Sequence, residues 1–118
     1  MHRTARSLRP GRELRYRLSL LLLDTGRTLT TAQLVTAMEA VGFPFQGRPS
    51  KVIADALRWE VKKGRVRYLG RAHYRFGRIP PSTVRWMRRE VAEATDRRLA
   101  ASATAFERQL AEYLRDVG

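Results

Sequence analysis

The chain of 118 residues contains no cysteine, which excludes disulfides and thiolate metal sites and fits a reducing compartment. Histidine is nearly as scarce. His2 and His73 have no second ligand at metal-binding spacing, so neither a metal nor a cofactor is expected. No long apolar run is present either: residues 18–23 form the longest, interrupted by Ser19, against the ~20 residues needed to cross a bilayer. Asp24 and Arg27 close that run and no small-residue cleavage site follows, so a secretory signal is not expected. Acidic residues are few, 11 against 24 basic ones, and only three of the basic ones are lysine (Lys51, Lys62, Lys63). An Arg bias of this kind accompanies GC-rich coding sequence, so the count alone says little about phosphate binding. Its distribution says more.

Residues 1–17 carry +5 and residues 48–79 carry +8, whereas residues 18–47 carry −1 and residues 80–118 carry +1. A compositional bias would spread the charge evenly. Here the whole net charge of +13 lies in two short segments, the footprint of a polyanionic partner, with nucleic acid ahead of an acidic membrane face. Hydrophobic residues at 43% provide for one packed core, and the length is too small for two full-sized domains.

Periodicity places the elements. Leu14, Leu18, Leu21 and Leu22 share a stripe on a first helix over 13–24, ended by Gly26. Thr30 and Gln33 have capping-box spacing, and Leu29 and Leu34 have staple spacing, so a second helix starts there. It is expected to bury Leu34, Ala37, Met38 and Val41. Pro44, Gly42 and Gly47 make 43–48 a loop, with Phe43 and Phe45 on the core. A third helix over 49–63 has Ile53, Ala56, Leu57 and Val61 inside, with Lys51, Asp55, Arg58 and Lys62 outside and Arg48 and Trp59 on the margin. Glu60 falls where an apolar residue suits the inner face, which points to a buried or edge ion pair.

Residues 65–77 read as a hairpin. A two-residue turn at Gly70-Arg71 would mix polar and apolar side chains on both faces. A three-residue loop over 70–72 pairs Tyr68 with Tyr74 and Val66 with Phe76, and gathers Arg65, Arg67, His73 and Arg75 on one outer face with Arg71 at the tip. After Pro80-Pro81, Ser82 is a good N-cap, and no Gly or Pro recurs before Gly118. A helix over 83–117 would be on the order of 50 Å long. Its apolar positions Val84, Met87 and Val91 slip in phase against Leu99, Ala103, Phe106, Leu110, Tyr113 and Val117, so the pattern fits either one helix or two broken near Ser102 and Thr104.

Helix, short extended piece, helix, loop, basic amphipathic helix and basic hairpin, in that order, resemble a winged helix-turn-helix domain across residues 12–77. The likeness rests most on the passage from Val52 and Ile53 through Lys63, Gly64, Arg65 and Val66 to Tyr74, Arg75 and Phe76. Two departures stand out: the loop before the third helix is longer than a tight turn, and Glu60 is acidic. The fold class implied is mainly α with a small β-hairpin, a winged helix-turn-helix followed by a long C-terminal helix. Its division is a flexible basic arm at 1–11, the winged domain at 12–79 and a helical extension at 80–118.

The resemblance implies that the third helix enters the major groove of double-stranded DNA through Arg48, Lys51, Arg58 and Lys62, with Asp55 accepting from cytosine. Arg65, Arg67, Arg71, His73 and Arg75 of the wing would meet backbone or minor groove. The competing reading is a solvated helix face with local Lys51–Asp55 and Asp55–Arg58 pairs, and a charged edge strand that resists aggregation. Arg3, Arg6, Arg9 and Arg12 either follow a minor groove or add non-specific attraction. Leu99, Phe106, Leu110, Tyr113, Leu114 and Val117 form a homodimer seam, or the helix folds back on the first helix.

No catalytic constellation is found, and 42–49 has P-loop glycine spacing without its Lys and Ser or Thr. No small-molecule effector module of ordinary size fits after the wing. The expectation is thus a cytoplasmic, nucleoid-associated DNA-binding protein or transcription regulator, not an enzyme. RNA or ribosome association, or a protein-binding winged helix, stands as the alternative.

Overall fold

A computed structural model describes residues 10–117. In chain order the elements are α1 (Pro10–Thr25), β1 (Leu29–Thr30), α2 (Thr31–Ala40), α3 (Pro49–Lys62), β2 (Val66–Gly70), β3 (His73–Phe76) and α4 (Pro81–Val117). The three strands make one antiparallel sheet in the order β1-β3-β2. The chain is therefore mainly α with a small hairpin and a long C-terminal helix, and its topology is compatible with a winged helix. Arg3, Arg6 and Arg9 lie outside the described residues. The start of α1 takes in Pro10 and Gly11, which composition assigns to a flexible arm, so Arg12 stands on a helix.

α1 is the keel of the fold. Leu14, Leu18 and Leu22 recur every fourth residue and pack on Leu34, Met38, Phe43, Ile53, Leu57, Val66 and Tyr74. Its other side buries Tyr16 and Leu20 with Ile79 and Met87, and Leu23, Val84 and Val91 pack against them. A helix with apolar side chains on two faces belongs between two layers, which the single stripe expected from Leu14, Leu18, Leu21 and Leu22 understates. α4 runs antiparallel along that second side: Arg88 pairs with Asp24 at 2.7 Å, Arg17 donates to Thr95, and Arg98 pairs with Glu13 at 2.7 Å. α1 begins at Pro10, so beyond about residue 101 α4 has outrun its support. From Leu99 to Val117 every residue is exposed, and the molecule extends to 59 Å. α4 is unbroken through Ser102 and Thr104, and it starts at Pro81 rather than after Ser82; Pro is well suited to the first helical position.

The capping box of α2 is present in both directions, Gln33 N–H to Thr30 Oγ1 and Thr30 N–H to Gln33 Oε1. Val41, expected in the core, is instead the cap that ends α2 and is exposed. In the hairpin, Tyr68 faces Tyr74, Val66 faces Phe76 and Arg67 faces Arg75, as the alternation predicts. The connection differs. Gly70 still pairs with His73, and a register shift between Tyr68 and Gly70 leaves Leu69 as an extra residue. Only Arg71 and Ala72 form the turn, both at positive φ (51° and 61°), as a type I′ turn demands. One buried face does not result: Val66 and Tyr74 are buried, but Tyr68 is 53% exposed.

Glu60 has no exposed surface. Arg65 binds it with two nitrogens (2.8 and 3.2 Å), Arg15 of α1 reaches it at 3.2 Å, and Ser19 of α1 donates to its other oxygen. Burial pushes this carboxyl up, but the hydrogen bonds from Arg65 and Ser19 outweigh it and hold the pKa below the usual range. One carboxylate thus fastens α1, α3 and the start of the hairpin. The hairpin returns to the same spot, where Gly77 N–H donates to Arg65 O and Arg78 N–H to Gly64 O. A methyl on Gly77 would collide with the Gly64 carbonyl.

Replacing Glu60 with Ala strands two part-buried guanidinium groups and lowers stability by about 3–5 kcal/mol in urea titration. Because its folded pKa is depressed, the stability Glu60 contributes is complete above the unfolded value near ~4.3 and is lost as pH falls through the folded one. Glu60→Gln therefore declines less steeply on acidification than the parent. In the hairpin, Ala72→Gly relieves a left-handed alanine and raises stability by about 0.5–1 kcal/mol, whereas Gly77→Ala lowers the melting temperature.

Candidate nucleic-acid interface

Charge decides which surface can meet a polyanion, and the ion pairs sort the arginines. Arg15, Arg17, Arg65 and Arg98 are committed to the buried Glu60 and Glu13, and Arg88 pairs with Asp24 at the surface between α1 and α4. At Glu13, burial pushes the carboxyl up, yet hydrogen bonds from Arg98 and Arg17 hold it below the ordinary range. Much of the positive charge in residues 12–17 is thus structural. The same holds for Arg65, expected on the outer face of the wing: its side chain is 18% exposed and engaged with Glu60, so it leaves the candidate interface.

Among the described residues, Arg12, Arg27, Arg85, Arg89, Arg97, Arg108 and Arg115 also have no carboxylate partner but are spread over α1, the turn after it and α4, whereas a second group is gathered within residues 48–78 on α3, the wing and their junction. Arg48 is exposed at the N-cap of α3. Lys51 and Arg58 are exposed, and both pair with Asp55, at 3.2 and 3.5 Å. These local pairs satisfy the solvated-face reading, but pairs this exposed are weak, and each can exchange its carboxylate for a phosphate. Lys62 and Arg15 lie 5.5 and 5.8 Å from the centre of the Trp59 ring. Arg67, Arg71, His73 and Arg75 are all exposed, and His73 Nδ1 contacts Arg71 O at 2.7 Å, bracing the tip. Among the described residues no carboxylate pairs with Arg48, Lys62, Lys63, Arg67, Arg71, Arg75 or Arg78.

Lys63 and Arg78 were not singled out by periodicity, because one is a helix cap and the other follows the hairpin. The backbone contact between residues 64 and 78 brings them to one end of α3. Their legible signal was the glycine next to each, Gly64 and Gly77.

The hairpin divides the basic groups. Tyr68 and Tyr74 face α3 and, with Ala54, Arg58 and Val61, line an open groove of about 240 Å³. Successive strand residues alternate faces, so Arg67, His73 and Arg75 stand on the opposite side of the wing from Arg58. A ligand touching both sets must straddle the hairpin. The wing is held firmly enough for that: β1 pairs with β3, and Thr31 N–H donates to Ala72 O at 3.0 Å, beside the tip.

Among the described residues no group of three or more His, Asp or Glu could hold a metal ion, and no helix is long and apolar enough to cross a membrane. The chain matches no protein-family model, no curated protein and no solved structure. Its functional reading therefore rests on geometry and charge.

Arg67 and Arg75 sit directly opposite each other across the hairpin, a like-charge pairing that weakens a sheet. Arg67→Glu converts it to an attractive pair worth roughly 0.2–1 kcal/mol. The melting temperature of the variant is expected to rise while its retention on a heparin column falls, a split that marks the pair as kept for a ligand. Loss of both would place Arg67 among the stabilising residues.

Proposed function

We propose that this chain binds double-stranded DNA with a sequence preference, as a transcription regulator or nucleoid-associated protein of the cytoplasm. Among the described residues, seven basic side chains without a carboxylate partner are concentrated within residues 48–78, on α3, the wing and their junction, and two of them face each other across the hairpin. That observation carries the reading. Mutual repulsion of this kind is relieved when phosphates take the place of counterions.

The arrangement suits a duplex in a specific way. α3 presents Arg48, Lys51, Asp55 and Arg58 on one exposed face, of a width that the major groove admits. The wing, basic on the side away from α3 and tipped by Arg71, would then lie edge-on to an adjacent stretch of backbone or minor groove, straddled by the nucleic acid. Arg58, beside the apolar groove of Tyr68 and Tyr74, is the side chain best placed to read a base edge while the wing sets register. Lys63 and Arg78 extend the phosphate track at the far end of α3.

Binding to duplex DNA, structured RNA and heparin over a salt series tests the reading. Duplex DNA is expected to bind tightest; equal or better binding of RNA would replace DNA by RNA as the partner. Arg58→Ala is expected to relax preference at one base position by about 1–3 kcal/mol. Arg71→Ala weakens all duplexes alike and lowers the salt slope by about 1.

A further inference from the structure

The distal part of α4 carries an interface with no partner. Leu99, Phe106, Leu110, Tyr113, Leu114 and Val117 expose between 44% and 65% of their surface on one side of the helix, in a stretch where every described residue is exposed. This stripe is turned about 130° around the helix from Met87 and Ala94, which pack toward α1, at 3.6 residues per turn, so it points away from its own domain. Residues 1–9 contain only Met1 and Leu8 as large apolar side chains, too few to match the stripe. Residues 99–117 carry two Arg and three acidic groups, so they repel neither each other nor attract the polyanion that suits the wing.

We infer that the occupant is a second copy of the same helix, running antiparallel. The spacing of 99, 103, 106, 110, 113 and 117 alternates four and three, the repeat of paired helices rather than of a helix on a globular surface. Direction follows from side-chain size. A parallel pair sets like against like, Tyr113 on Tyr113 and Phe106 on Phe106, with a gap where Ala103 meets Ala103. An antiparallel pair centred on Arg108 sets Ala103 against Tyr113, Phe106 against Leu110 and Leu99 against Val117 of the second copy, so every layer holds one larger and one smaller side chain. Its flanks place Leu114 over Ala100 and Ser102 beside Asp116. Glu107 meets its own copy, the one unfavourable contact.

The area is sufficient. At roughly 200 Å² for a large apolar side chain, the six exposed residues present on the order of 700 Å² per copy. Pairing would withdraw about 1,200–1,400 Å² in all, within the range of stable, specific interfaces. The two globular bodies would then sit at opposite ends of the pair, with Ala94 of one about 40 Å along the axis from Ala94 of the other. The pairing is independent of what the wing binds.

The absence of cysteine makes the test direct. The full chain should sediment as a dimer at tens of micromolar, and Leu110→Glu should make it a monomer with an unchanged melting transition of the globular part. Under mild oxidation, Gln109→Cys, next to the two-fold axis, should cross-link to itself. Ala103→Cys alone should not, while Ala103→Cys combined with Tyr113→Cys should. A parent chain that sediments as a monomer overturns the inference, and so does efficient self-cross-linking of Ala103→Cys with none at Gln109→Cys, the signature of a parallel pair.

Discussion

A single buried carboxylate organises the wing side of the molecule. Glu60 lies on the otherwise apolar inner face of α3, and it is tolerable there only because Arg65, Arg15 and Ser19 complete its hydrogen bonds. Each partner comes from a different place, the start of the hairpin and two turns of α1. Satisfying the charge therefore sets the rotation of α3 against α1 and the point where the hairpin leaves α3. An apolar side chain could fill the space, but it would not specify that rotation. The backbone contacts of Gly77 and Arg78 to residues 64 and 65 then close the hairpin on the same point.

Much of this was legible in the sequence. Capping-box spacing at Thr30 and Gln33 marks the start of α2 because that geometry depends on four consecutive residues alone. The hairpin pairing is legible because only one register separates Tyr68, Tyr74, Val66 and Phe76 from the arginines. The acidic residue on the inner face of α3 foretells an ion pair, but not its partners: Arg15 is 45 residues distant, and nothing local distinguishes Arg65 from Arg67. That is why Arg65 reads as a wing contact and proves to be internal. The two-residue turn with its extra Leu69 was hidden because Arg-Ala carries no turn signature.

The two roles of α1 were also beyond local reading. Tyr16, Leu20 and Leu23 look like the solvent edge of an amphipathic helix until α4 is laid against them, and no pattern in either segment gives their offset. The alternatives of folding back on α1 or pairing with another chain concern different parts of the same helix. α4 does the first up to Arg98, and its exposed stripe begins with the next residue.

That division has an evolutionary meaning. Because the two stripes of α4 share no residue and face different directions, changes in one leave the packing of the other untouched. The distal segment can drift or lengthen while the globular body keeps its shape, so this helix is the part of the chain that can change without refounding the fold.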